Sequence, residues 1–198
     1  MRTVVRGALI CAGSLAILLP AWLPNRPSVP LGHGTVALLQ ALLLAAASAV
    51  FFGATAHAGR NRPVCRILAL GLAAAVIGKV EDFASLIMGR HFPENWVVGA
   101  MLLVALATAI RHRRVVLQFV GTVGTHAGSG LIAAALLLLY VFNRIIGRAR
   151  FWQAALGDAY APEVPRICKG YLDLLACYLL FIGAIGLALT LARREDPE

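Results

Sequence analysis

The stretch VVLQFVGTVGTHAGSGLIAAALLLLYVF, residues 115–142, decides how the chain is threaded. A helix that crosses a bilayer needs about 20 apolar residues, within a range of about 17–25. This stretch is too long for one straight crossing and too short for two. Glycines at 121, 124, 128 and 130 permit a break or close packing inside it. Two threadings are open. In one, an interfacial or tilted segment precedes a span from about Thr122 to Phe142. In the other, the stretch is a re-entrant hairpin turning at GTVGTHAGSG. Irregular backbone at membrane depth is tolerated only where protein covers it or it lines a wet cavity. The first threading is therefore preferred.

On either side lie further apolar blocks, at about Ala8–Leu23, Thr35–Ala56, Ile67–Gly89, Trp96–Ile110 and Tyr171–Ala192. The 198 residues are 60% hydrophobic and 14% charged, against about 25% charged in soluble domains. Almost nothing remains from which to build a soluble core. A β-barrel would alternate apolar and polar residues with period two, and these blocks do not. The expected fold is all-α: one integral membrane domain, residues 1–198, forming a polytopic transmembrane helical bundle of about six spans. Arg2 and Arg6 precede the first block as in a signal peptide, but the block runs into PAWLPNRPSVP without a small-residue cleavage site, so an uncleaved first span is expected. The AAASAV run in the second block, residues 45–50, suits close helix approach.

The longest polar connection is NRIIGRARFWQAALGDAYAPEVPRICKG, residues 143–170. Phe151, Trp152 and Leu156 fall at helical spacing behind arginines, which predicts an amphipathic helix in the interface between spans five and six. Arg144, Arg148, Arg150, Arg166 and Lys169 make this connection a candidate surface for anionic lipid head groups.

The net charge of +9 would suggest nucleic acid in a soluble protein. Here the arginines separate apolar blocks, where orientation signals belong, so membrane lipids and not nucleic acid are the expected partners. With both termini cytoplasmic in a cell membrane, as in a bacterial inner membrane, ten basic residues fall inside and seven outside. The 144–169 region runs against that bias.

Within the third block, VIGKVEDFASLIMG (residues 76–89) sets Lys79, Glu81 and Asp82 close together. A lone charge at depth costs at least about 2.5–3.5 kcal/mol. If the span is centred near Gly78, Lys79 sits close to the midplane. Lys79 and Asp82 share a face at i,i+3 spacing, and Ser85 lies one turn beyond Glu81. Asp173, entering from the outer end of the last span, joins them in the expected intramembrane cluster of Lys79, Glu81, Asp82, Ser85 and Asp173. The bland reading is an ion-pair network that fixes helix packing. The functional one is a path or pocket for a polar solute.

Other chemistry is weakly supported. Cys11, Cys65, Cys168 and Cys177 contain no C-x-x-C and make no zinc-ligand spacing with histidine. His112 and His126, 14 residues apart, carry the spacing of a haem pair on one helix but lack a matching pair on a second helix, so no cofactor and no metal are expected. Ser129 lies near His126 in HAGSG, a stretch that reads better as helix packing than as serine hydrolysis. The leading functional expectation is a small multi-pass protein that binds or moves a polar or ionic solute. The second is a non-catalytic subunit or assembly factor with a membrane-protein partner or a second copy. The third, weaker, is a lipid-active membrane enzyme.

Overall fold

The computed structural model describes residues 13–14, 33–88, 94–126 and 128–193. Every regular element among them is helical. The helices are α1 (His33–Ala54), α2 (Arg62–Met88), α3 (Glu94–Arg111), α4 (Arg113–Thr122), α5 (Ser129–Ile146), α6 (Ala149–Leu156) and α7 (Glu163–Arg193). Apolar stretches in α1, at Gly59–Val80, in α5 and in α7 are long enough to cross a membrane, and Trp96–Arg111 in α3 is a shorter apolar helix. Most of the expected first span lies outside the described residues. Its described piece sets Gly13 against the Tyr178 hydroxyl of α7, where a Cβ would collide.

The core is the trio α1, α2 and α7, with α5 laid onto α7. Ala47, Phe51, Cys65, Ala69, Ala184, Leu187 and Leu191 form one buried cluster; Leu44, Ala135, Ala176, Cys177 and Leu180 form a second. Small residues bring the backbones together. Within AAASAV, Ala47 and Ser48 are buried, and Ser48 Oγ donates to the Ala69 carbonyl across α1 and α2 at 3.0 Å. A Cβ on Gly183 would stand 2.7 Å from Ile132 Cγ1 and 3.0 Å from the Gly128 oxygen, so α5 approaches α7 there only because glycine is present. By contrast, α3 packs chiefly on α2. Its Trp96, Leu103 and Ile110 are exposed, as suits a surface facing lipid.

Residues 115–142 resolve into a break. Helix α4 ends at Thr122, a 3-10 turn covers Val123–Thr125, and Gly128 takes φ 92°, a left-handed conformation that glycine adopts without steric cost, before α5 begins. At ten residues, α4 is about 15 Å long, too short to cross a bilayer. His112 and His126 therefore do not share a helix: the first precedes α4 and the second lies in the turn after it.

Two expected boundaries move. Helix α7 starts at Glu163, not near Tyr171, so Arg166 and Lys169 lie on its first turns and not in a loop. Pro165 falls in the first turn, where a missing N–H costs nothing. Helix α2 starts at Arg62, before the expected Ile67, and the apolar stretch that leads into it begins at Gly59.

Candidate functional site

Three helices bring one polar side chain each to a single point. Asp173 of α7 is buried at 7% exposure. Lys79 of α2 sets its Nζ 3.7 Å from Asp173 Oδ2. Asn143 of α5 donates from Nδ2 to Asp173 Oδ1 at 2.6 Å. Because that amide donates, Asn143 Oδ1 is an acceptor, and it is buried without a hydrogen-bond partner. A buried carbonyl oxygen left in that state costs about 1–3 kcal/mol. Such a group signals strain, a bound water or ion, or a function.

The local sequence explains how the three meet. Leu138–Phe142 form a π-helical turn within α5. One extra residue in a turn rotates the next part of the helix by about 100°, and this sets the direction in which Asn143 leaves it. Lys79 keeps 32% of its side chain exposed against 10% for Asp173. The ammonium is thus the reachable member, and the carboxylate the enclosed one. One turn along α7 from Asp173, the Cys177 thiol is buried. Three residues before Asp173, the carbonyl of Gly170 accepts from Gln40 Nε2 of α1 at 3.0 Å, and Gln40 is itself buried. All four core helices therefore contribute a polar contact within about two turns.

Counted from the middle of each helix's apolar stretch, Asp173 and Asn143 lie about 7–8 Å, and the Lys79 backbone about 14 Å, toward the end that carries α6. The side chain of a helical residue leans toward the N-terminus of its helix, which carries the Lys79 ammonium back toward Asp173.

Of the expected cluster, the structure joins Lys79 and Asp173 directly. Glu81, Asp82 and Ser85 continue α2, and their side chains lie outside the described residues. Asn143 and Gln40 belong to the site but carried no charge to mark them in the sequence. On the expected lipid-facing surface, Arg144, Arg148, Arg150, Arg166 and Lys169 are all exposed. Trp152 Nε1 donates to the Ile146 carbonyl at 2.6 Å, and the Trp152 ring meets Phe151 edge-on at 5.4 Å, so α6 folds back onto the end of α5. No group of three metal-ligating side chains occurs among the described residues.

A second polar site lies at the opposite end of the bundle. A cleft of about 250 Å³ is lined by Arg60, Asn61, Val115, Gln118, Phe119, Thr122 and His126. Arg60 donates to Gln118 Oε1 at 2.8 Å. His126 is buried at 6% exposure, hydrogen-bonded through Nδ1 to the Thr122 carbonyl at 2.7 Å, and its ring lies 5.6 Å from that of Phe119.

Comparison of the chain with protein families, with curated proteins and with solved structures finds no match. The residues themselves therefore carry the functional reading.

Proposed function

We propose that the chain is a multi-pass protein of a cell membrane, of the bacterial inner-membrane kind, that binds or moves a small polar or ionic solute at the Lys79–Asp173–Asn143 cluster. Six spans and cytoplasmic termini fit the basic turns around Arg60–Arg66 and Arg111–Arg114, which this threading puts on one side. Helix α6, with Arg150 and the preceding Arg144 and Arg148, then lies in the opposite interface. The observation that carries the reading is the unpaired Asn143 Oδ1 beside a buried carboxylate and a partly exposed ammonium. Together they present a donor, an acceptor and an acid at one place inside apolar helices. A solute anion would compete with Asp173 for Lys79; a proton or cation would compete with Lys79 for Asp173.

A second reading rests on the same contacts. Both oxygens of Asp173 are engaged across helices, as in a clasp that holds α2, α5 and α7 together in a non-catalytic subunit or assembly factor.

The two readings part on access. The full chain is reconstituted in liposomes with Cys177 as its sole cysteine, and a membrane-impermeant thiol reagent is added. A path to the cluster makes Cys177 react, and Asp173→Asn or Lys79→Gln alters proton or anion flux read by an entrapped dye. An unreactive Cys177, with flux equal in wild type and both variants, rejects the solute reading and leaves the clasp. A cysteine at position 158 reacting only from outside supports the six-span threading; reaction only from the cytoplasmic side rejects it.

A further inference from the structure

Where α5, α6 and α7 meet, Arg144, Arg148, Arg150, Arg166 and Lys169 are all exposed. Among the described residues none of the five is ion-paired, since the Lys79–Asp173 pair involves none of them. Residues 143–170 set these five basic side chains against two acidic residues, Asp158 and Glu163.

Specific contacts gather the cations at one place. The Asn143 amide on Asp173 ties the end of α5 to α7, one turn beyond Lys169. The chain then turns, with the Gly147 N–H donating to the Asn143 carbonyl at 3.0 Å. A Cβ on Gly147 would stand 3.8 Å from Lys169 Cδ, so the lysine stem lies beside that turn. Trp152 Nε1, bonded to the Ile146 carbonyl, folds α6 back onto it. Arg144, Arg148 and Lys169 therefore leave the chain around a single turn. Arg150 and Arg166 stand on the first turns of α6 and α7.

The neighbours of the arginines indicate what they face. Arg144, Arg150 and Arg166 are followed by Ile145, Phe151 and Ile167, each close to half exposed. A cation beside an apolar side chain, repeated three times at one end of an apolar bundle, matches the border between lipid phosphates and acyl chains. An acidic protein segment would complement the cations but leave the three apolar side chains uncovered. Orientation does not account for the cations either: under the six-span threading they run against the bias that gathers basic residues in the cytoplasm.

We propose that this end of the bundle binds the head group of an anionic glycerophospholipid, with Arg144, Arg148 and Lys169 on its phosphodiester and Ile145, Phe151 and Ile167 along its acyl chains. Arg150 and Arg166 draw further anionic lipid to the same border. A zwitterionic phospholipid carries the same phosphate but brings its own cation, so it is not enriched. The binding requires a membrane surface at this end and is independent of any solute at Asp173.

Trp152 of α6 is a built-in probe for the test. The full chain with Trp22→Phe and Trp96→Phe is reconstituted, at physiological salt, in vesicles of phosphatidylcholine and phosphatidylglycerol. One lipid or the other carries brominated acyl chains, which quench tryptophan on contact. The expected result is a preference of about tenfold or more for brominated phosphatidylglycerol beside Trp152. Lys169→Gln and Arg148→Gln each lower that preference about fivefold, as for one cation at an anionic surface; Arg150→Gln and Arg166→Gln lower it less, and Arg113→Gln at the opposite end leaves it unchanged. If the tryptophan variant does not reconstitute, native mass spectrometry of the chain with its own tryptophans reads retention of the two lipids across the same arginine and lysine variants. Equal quenching or retention of the two lipids overturns the proposal and leaves plain anchoring or a protein partner. Equal losses in Lys169→Gln, Arg148→Gln, Arg150→Gln and Arg166→Gln overturn the site in favour of diffuse attraction. Relief of the preference by soluble glycerol phosphate overturns the lipid as the source of the phosphate.

Discussion

The two ends of the bundle handle charge in opposite ways. Toward α6, Asp173 is enclosed, and both of its oxygens are met by side chains from other helices. Toward the α1–α2 turn, Arg111, Arg113 and Arg114 are exposed, and residues 108–128 supply no carboxylate. An exposed arginine keeps its hydration and needs no particular partner. A buried carboxylate loses hydration and is stable only where protein groups replace it. Helix packing at the first end is therefore tied to a buried charge, and at the second it is not.

Mutations at the two ends should differ accordingly. The largest effect is expected from Lys79→Met, which strands the Asp173 carboxylate. A buried pair that loses one partner is destabilised by about 3–5 kcal/mol, and the partly exposed Lys79 puts this case near the low end, about 3 kcal/mol, measured by unfolding in mixed micelles. Asn143→Ala leaves Asp173 Oδ1 without its donor, for a loss of about 2 kcal/mol, with the same readout. At the other end, His126→Phe removes one hydrogen bond to the Thr122 carbonyl and should cost about 1 kcal/mol. Arg111→Gln should change stability by no more than about 0.5 kcal/mol. If Arg111→Gln proves as damaging as Lys79→Met, burial is not what separates the two ends.

The stretches long and apolar enough to cross a membrane were legible in the sequence because apolar length is a local property. The block at Thr35–Ala56, matched by the apolar stretch Thr35–Ala54, needed only composition and length to be seen. Helix starts were harder. The polar connection read over residues 143–170 includes residues 163–170, which open α7, and a first turn accommodates Pro165. The break inside residues 115–142 was suggested by glycines, but its position depends on Gly128 meeting Gly183, a contact between distant parts of the chain. The ionisable members of the cluster stood out because a charge in an apolar block is costly. Asn143 did not, since a neutral amide at the edge of a block looks like the start of a loop. Its direction is set by a π-helical turn that the apolar run LLYVF does not announce. Gln40 was hidden for a related reason: one amide in an apolar helix can donate to any nearby carbonyl, and only packing selects that of Gly170.

A double-mutant cycle on Lys79 and Asp173 tests most directly whether these two side chains hold one another inside the bundle. Lys79→Met, Asp173→Leu and the combined variant are unfolded under identical conditions. Mutual dependence predicts that removing both charges costs less than removing Lys79 alone, with a coupling of about 2 kcal/mol or more. Costs that simply add, within about 0.5 kcal/mol, would mean that the two groups do not meet in the folded protein, contradicting the account.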